Sequence, residues 1–367
     1  MAVYKSLVKK ISVPAEKKTK QKDYLKNGKI AVVDQGQKII GGYSNDADKM
    51  VTCELPVIVF GDHTRAVKYV SFPFCAGADG IKILQPEDTV LPKYLYYGTQ
   101  YIVATMPDRG YARHYQYVEK EKLPVPSLTE QERIVARIEE MFSQLDTAVE
   151  TLQKTKAQLA VYRQAVLKEA FGQVVDVVPF GSISESRLGK MLDKEKNVGK
   201  PNQYLRNVNV RWFGFDLTDL LEMRIDDNEH EKYSILKGDL VICEGGEPGR
   251  CAVWSKSEPI FYQKALHRVR FTDGSNPLFY MYYLWYAAQA GYLKPFFTGT
   301  GIKHLTGQSL VKLPVPTAKP ELQTMIVSEI ESKLSVCYSI EQTIDDTLQQ
   351  ANAMRQSILK QAFEGGL

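Results

Sequence analysis

The stretch VYRQAVLKEAFG fills residues 161–172, and AMRQSILKQAFE, residues 353–364, repeats it near the end of the 367-residue chain. A shift of 192 lays Arg163, Gln164, Leu167, Lys168, Ala170 and Phe171 on Arg355, Gln356, Leu359, Lys360, Ala362 and Phe363. The repeat extends upstream of these matches. From Ile134 the series steps alternately by four and three through Ile138, Met141, Leu145, Ala148, Leu152, Thr155, Leu159, Tyr162 and Val166. The same shift yields Ile326, Ile330, Lys333, Cys337, Ile340, Ile344, Thr347, Ala351, Met354 and Ile358, where only Lys333 is out of character and Leu334 stands beside it. A spacing of about 3.5 residues held over several heptads marks a coiled-coil seam rather than an ordinary surface helix. The pattern predicts a rod over 129–171, about 60 Å long at the α-helical rise, and a second rod closing the chain.

Both rods have the same entrance. KLPVPSLTEQE, residues 122–132, precedes the first and KLPVPTAKPELQ, residues 312–323, the second. Their prolines favour extended backbone and cannot continue a helix. Thr129 with Glu132 offers a capping box for the first rod, and Pro320 suits the first turn of the second. Ahead of each entrance lies a block of different texture. Strand-like runs (LPVIVFG, YVSFPFC, GDLVIC, CAVW) alternate with glycine turns, and each block carries one aromatic-rich helical stretch, YLYYGTQYIVATM or LFYMYYLWYAAQA. Under the shift of 190 set by the KLPVP anchors, Arg113-His114 falls on Lys303-His304, with Gly110 and Gly301 just ahead. The expected fold class is α+β. Two mixed α/β heads are separated by a long antiparallel two-helix coiled coil with an internal pseudo-twofold repeat. The expected boundaries are a first head over 1–126, a first helix over 127–171, a second head over 172–316 and a second helix over 317–367.

Composition narrows the function less than the repeat does. With 44% hydrophobic and 25% charged residues the chain reads as an ordinary globular protein. No apolar run nears the ~18 residues that span a membrane, and MAVYKSLVKKISVP lacks the apolar core and cleavage site of an export signal. Five cysteines without CxxC spacing argue against a zinc site or disulfide framework and for reduced thiols in the cytoplasm. A net charge of +4 is too small to assign a nucleic-acid partner by itself. Catalytic constellations are missing. The nearest approach to an adenine-methyltransferase motif is Asn276-Pro277-Leu278-Phe279, which follows TDGS and reads as a structural turn. GGEPGR lacks the GK[ST] ending of a phosphate loop, and the five histidines show no zinc spacing.

A covalent pseudo-dimer with two unlike heads suits a ruler for two sites on duplex DNA, whose half-sites fall at fixed spacings. LPVPSLTEQERIVARIEEMFSQLD followed by RQAVLKEAF resembles the helical region of the specificity subunits of type I restriction-modification enzymes. FGDHTRAVKYVSFPFCAGADGIKIL and KGDLVICEGGEPGRCAVW resemble that family's target-recognition domains. The resemblance covers essentially the whole chain, although the first head is the shorter and a leading segment is expected to be abbreviated. It implies a non-catalytic DNA-recognition subunit. Each head would read one half of an asymmetric bipartite target on double-stranded DNA, and the helices would set the gap. The same helices would dock two DNA-methyltransferase subunits, and restriction/translocase subunits would join them. No cofactor is implied for this chain, S-adenosylmethionine and ATP belonging to the partner subunits.

Base edges are read by Arg or Lys at guanine and by Asn or Gln at adenine, from loops in heads of this kind. His63, Thr64 and Arg65 in GDHTR, and Arg109, Arg113 and His114 in PDRGYARHY, are the candidates in the first head. Arg250 in GGEPGR, with Lys303 and His304 in TGTGIKH, are those in the second. The competing structural reading makes Asp62-His63-Thr64 a strand-end turn held by its own side chains. Arg163-Gln164 and Arg355-Gln356 flank the seam, where a solvated face or a salt bridge to the opposite helix is the plain expectation, and the family resemblance implies contact with the abutting head or the methyltransferase as the alternative. Leu167, Ala170 and Phe171 lie off the seam and are expected to seal rod to head. The alternative function is a coiled-coil scaffold bridging two protein-binding heads without DNA.

Overall fold

The computed structural model describes residues 1–77, 80–107, 109–193, 195 and 197–366. It divides into two compact units, Met1–Lys154 with Ile344–Leu367 and Thr155–Thr343. In the first head the strands are β1 (Ala2–Val3), β2 (Val8–Ile11), β3 (Ile30–Val33), β4 (Gly42–Ser44), β5 (Val57–Gly61), β6 (Val67–Val70), β7 (Phe74–Ala76) and β8 (Ile81–Pro86). Helix α1 (Pro92–Thr105), the short α2 (Tyr115–Val118) and β9 (Lys122–Leu123) lead into the long α3 (Leu128–Gly172). The second head has β10 (Val177–Pro179), β11 (Ser184–Leu188), β12 (Lys200–Leu205), β13 (Val210–Arg211), β14 (Gly214–Phe215), β15 (Leu221–Ile225) and a short α4 (His230–Tyr233). Then come β16 (Ser234–Ile235), β17 (Leu240–Cys243), β18 (Cys251–Val253), β19 (Ile260–Tyr262) and β20 (Leu266–Phe271). The chain ends with α5 (Pro277–Gln289), α6 (Gly307–Val311), β21 (Pro314–Pro316) and the long α7 (Pro320–Glu364).

Two heads that match loosely in sequence share one topology. The antiparallel sheet β2-β8-β5-β6 of the first corresponds to β11-β20-β17-β18 of the second. The sheet β4-β3-β7, with its parallel β3–β7 pair, corresponds to β15-β12-β19-β16 with a parallel β12–β19 pair. In each head the strand opening the unit pairs with the proline-rich entrance, β1 with β9 and β10 with β21. The central strands explain why LPVIVFG and GDLVIC are apolar without alternation. Ile58 and Phe60 point into the core shared with α1, whereas Val57 and Val59 point into a second, smaller core. Leu240 and Ile242 face the α5 core, and Val241 and Cys243 face the opposite one. A strand covered on both faces must be apolar on both.

The first long helix starts two residues earlier than the capping-box expectation. Ser127, not Thr129, caps α3, its Oγ accepting from the Glu130 amide at 3.3 Å; Pro320 opens the first turn of α7 as expected. Within each unit the two helix segments run antiparallel. In the second unit Arg163 pairs with Glu341 at 2.5 Å and Lys333 with Glu169 at 3.5 Å. In the first unit Arg355 pairs with Asp146 and lies over the Phe142 ring. Both arginines therefore bridge to the opposite helix, one of the alternatives the sequence leaves open. The exposed Arg355–Asp146 and Lys333–Glu169 pairs contribute at most about 1 kcal/mol each and serve chiefly to fix register. At the one misfit of the heptad series the seam moves by a residue. Leu334 is buried while Lys333 stays outside, bound to Glu329 at 2.8 Å. Asn276, in the near-match to the methyltransferase motif, is the N-cap of α5, its side chain accepting from the Leu278 amide at 3.0 Å.

The repeated motif docks crosswise. Phe363, at the end of α7, packs on Tyr94 and stacks on Tyr101 of α1 in the first head, with ring centroids 5.0 and 5.5 Å apart. Phe171, at the end of α3, packs in the same way on Phe279 and Tyr286 of α5 in the second head, at 5.3 and 5.8 Å. The start of each rod meets the same head helices. Tyr97 donates to Glu139 and Tyr282 to Glu331, both at 3.4 Å, and the two carboxylates are 192 residues apart in the chain. Each head is thus held by the beginning of the helix that follows it and by one RQxxLKxAF end, which for the first head comes from the far terminus.

Candidate nucleic-acid interface

Three chain segments converge at one end of the first head's sheets. They are the turn 62–65 after β5, the loop 34–41 after β3, and the segment 109–114 ahead of α2. Asp62, 3% exposed, is the hub. Its carbonyl accepts from the His114 amide at 2.8 Å and contacts His114 Nδ1 at 3.0 Å. Its carboxylate accepts from the Tyr115 amide at 2.9 Å and pairs with Lys82 at 3.3 Å. Thr64 donates its hydroxyl to the Gln35 carbonyl, and Gln37 Nε2 donates to the Thr64 carbonyl at 3.4 Å. Behind them Lys68, buried on β6, donates to the Asp34 carbonyl at 2.7 Å. Burial lowers its ammonium pKa, and the facing Asp34 carboxylate partly offsets this.

The structure brings five of the six first-head candidates to this surface. Arg109, Arg113 and Thr64 are exposed and His63 and Arg65 half-buried. His114 is the correction. Its side chain is 0% exposed and supports the hub from inside, so it cannot reach a base edge or a phosphate. Part of the turn reading also holds, since Asp62 and Thr64 spend their side chains within the fold. Arg65 has the backbone of a constrained position. Its φ of 60° lies in the left-handed region that a non-glycine residue occupies at a cost of about 1–2 kcal/mol. A site retained against that cost is a functional candidate. Arg65→Gly is expected to raise stability by about 1 kcal/mol, read by urea denaturation. A loss of stability would reduce Arg65 to a packing residue.

The second head builds the same three-segment cluster from different side chains. Glu244 directly follows β17 as Asp62 follows β5, and its carbonyl accepts from the Leu305 amide at 2.7 Å. His267 reaches the Leu305 carbonyl at 2.9 Å, and burial holds its imidazole below the usual range. Arg250 is mostly enclosed. It pairs with Glu247 at 2.8 Å and donates to the Asn207 carbonyl at 2.9 Å, so it braces two loops. Trp212 donates to the same Glu247 at 2.8 Å. Lys303 is exposed and His304 half-buried on the third segment.

The hub bonds also correct the register. His114 corresponds to Leu305, both fully buried, so the shift here is 191 and Arg113 falls on His304 rather than on Lys303. Sequence reading missed the loop after the parallel strand in each head. That loop contributes Gln35 and Gln37 to the first cluster, and Asn207 to the second. DQGQK directly after the apolar run IAVV was the available signal.

Two topologically matching heads, each with a loop cluster of its own chemistry and each gripped by two long-helix segments, define a duplicated architecture. No family model matches the chain. The EcoKI specificity subunit of Escherichia coli (strain K12) is 23% identical over 266 residues, 67% of this chain and 57% of that protein. The Escherichia coli EcoR124I/EcoR124II specificity subunit is 30% identical over 180 residues, 46% of this chain and 44% of that protein. The StySPI specificity subunit of Salmonella potsdam is 24% identical over 268 residues, 67% and 57% of the two chains. The chain thus spans about half the length of the curated relatives it matches. Among solved structures, a chain from a study of assembly and conformational transition in a type I R-M system aligns with a TM-score of 0.73 and 14% identity, covering 100% of this chain and 97% of that one. The HsdS subunit from Thermoanaerobacter tengcongensis aligns with a TM-score of 0.59 and 15% identity, over 100% and 96%. By sequence the chain is similar to the specificity subunits of type I restriction enzymes, and by fold to an HsdS subunit.

Proposed function

We propose that this chain is the non-catalytic DNA-recognition subunit of a type I restriction-modification assembly. Each head reads one half of an asymmetric, bipartite duplex target through its three-segment loop cluster. The observation that carries this reading is the pairing of one topology with two loop chemistries, glutamine and arginine about His63 in one head and arginine, tryptophan and lysine about Glu244 in the other. A scaffold kept constant while its loops diverge is what base readout from loops requires. The paired helices set the gap between half-sites and dock two methyltransferase subunits, and restriction/translocase subunits complete the assembly. S-adenosylmethionine and ATP serve those partners, and the site of action is the cytoplasm. The boundaries 1–126, 127–171, 172–316 and 317–367 are the modules of this scheme.

Methylated adenines mapped in a host that supplies this chain with its methyltransferase are expected to fall in a split motif. Exchange of residues 1–121 for another such head should alter one half of the motif only. Matched insertions in α3 and α7 should change the gap and leave the half-site bases alone. Full-length chain should bind duplex with an affinity that falls steeply with salt. Absence of duplex binding would leave the protein-bridging scaffold as the reading.

A further inference from the structure

The corrected register places Tyr111 opposite Ile302, each directly after a glycine, Gly110 and Gly301. Both side chains project from the third segment of their cluster, Tyr111 86% exposed and Ile302 74% exposed. Large apolar groups so far out of the fold lose the hydrophobic stabilisation that burial would supply. Here two heads that diverge elsewhere place one at the same point.

Neither tip is a loose end. The Tyr111 ring stacks on His63 with centroids 4.5 Å apart and planes within 7°, and His63 Nδ1 contacts the Ala112 carbonyl at 3.2 Å. The Ala112 amide donates to the Gly110 carbonyl at 2.9 Å, and two residues on the chain is tied to the Asp62 hub. The Ile302 tip stands on a closed turn, with Thr298 and His304 exchanging backbone hydrogen bonds at 2.8 and 3.0 Å. Lys303 Nζ donates across that turn to the Gly299 carbonyl at 2.7 Å. At Gly299, with φ of 93°, a Cβ would come within 2.3 Å of the Ile302 carbonyl oxygen, so the turn admits only glycine there. Cations flank both tips. Arg109, lying over the Tyr117 ring at 4.4 Å, and Arg113 bracket the first, and Lys303 adjoins the second.

We propose that Tyr111 and Ile302 are stacking wedges, one per head, that enter the base stack of the bound duplex. The inference rests on the DNA-recognition reading above. A rigid apolar tip framed by phosphate-binding cations can slip between base pairs, unstack one step and kink the duplex. An aromatic tip also replaces the lost stacking with its own face. Local unstacking lowers the work of extruding a neighbouring base, which chemistry on a base inside a duplex requires. A cation beside each tip, arginines in the first head and a lysine in the second, favours a polyanionic duplex over a neutral protein surface.

The test uses the full-length chain and a duplex that it selects from a random-sequence pool, with 2-aminopurine walked through both halves. Wild-type chain is expected to raise the fluorescence at one step in each half. Tyr111→Ala should abolish one rise and Ile302→Ala the other, each with about a tenfold loss of affinity. Tyr111→Trp should restore the rise, and an abasic gap at the affected step should return the affinity of Tyr111→Ala to the wild-type value. Unchanged fluorescence and affinity in both alanine variants would overturn the wedge and give the tips to a protein partner. Binding by the wild type with no rise at any step would overturn it as well. Failure of the wild type to bind any duplex would overturn both the wedge and the reading beneath it.

Discussion

Phe363→Ala is expected to destabilise the first unit by about 3–5 kcal/mol, the usual cost of removing a buried phenylalanine, although residue 363 stands four positions from the end of the chain. The ring is 4% exposed and lies between Tyr94 and Tyr101 on α1, beside the buried Leu359 and Ala362. Gly98 leaves room for it, since a Cβ there would come within 3.2 Å of the Phe363 ring and 2.8 Å of Leu123. Phe171→Ala should cost the second unit a similar amount through Phe279, Tyr283 and Tyr286. The two losses are expected in different places. Hydrogen exchange should accelerate over Pro92–Thr105 in Phe363→Ala and over Pro277–Gln289 in Phe171→Ala. All three tryptophans, 212, 254 and 285, lie in the second unit, so the intrinsic fluorescence transition reports the second substitution directly. Acceleration of α5 rather than α1 in Phe363→Ala would refute crossed docking.

That crossing is the part of the fold least legible in the sequence, even though the repeat that produces it is the most legible feature. Periodicity gave the two rods, the shared KLPVP entrance gave their starts to within a residue or two, and the off-seam position of Phe171 marked it as a head contact. Nothing in a period says which head, because docking partners far apart in the chain leave no mark on local spacing. The heads were harder for a related reason. Their common sheet order depends on pairings such as β3 with β7 and β12 with β19, made between short strands of unlike sequence. Loops of different length also broke the constant shift. The slip put Arg113 on Lys303 and hid the correspondence of Tyr111 with Ile302. A histidine beside an arginine in a glycine-containing loop reads as exposed, yet His114 is buried. Only the backbone bond to Asp62 turns it inward.

Gln131→Leu and Gln323→Leu should each destabilise their unit by about 3 kcal/mol, the sum of orphaned buried partners at about 1 kcal/mol or more apiece. Both amides are 0% exposed, and they stand 192 residues apart in the two rods. Gln131 Oε1 accepts from the Leu91 amide at 2.8 Å, the residue that caps α1, and its Nε2 donates to the Thr89 and Pro126 carbonyls at 3.0 Å. Gln323 repeats the arrangement. It accepts from the Asn276 amide at 2.7 Å at the start of α5 and donates to the Ala318 carbonyl at 2.9 Å and to Ser275 Oγ at 3.2 Å. Each glutamine therefore ties three segments at one point: the head helix, the segment before it, and the entrance to the rod. Leucine fills the volume but leaves at least one amide and one carbonyl without a partner in a buried site. Gln131→Glu separates the contributions. It keeps the acceptor for Leu91 and loses the donors, and it is expected to be worse than leucine above the range in which a buried carboxyl stays neutral and to approach it below. The measurement is urea denaturation of each variant by far-UV circular dichroism, with the tryptophan transition followed in parallel for the second unit. A cost below about 1 kcal/mol for both leucine variants would mean that packing alone, without the amide, holds head to rod.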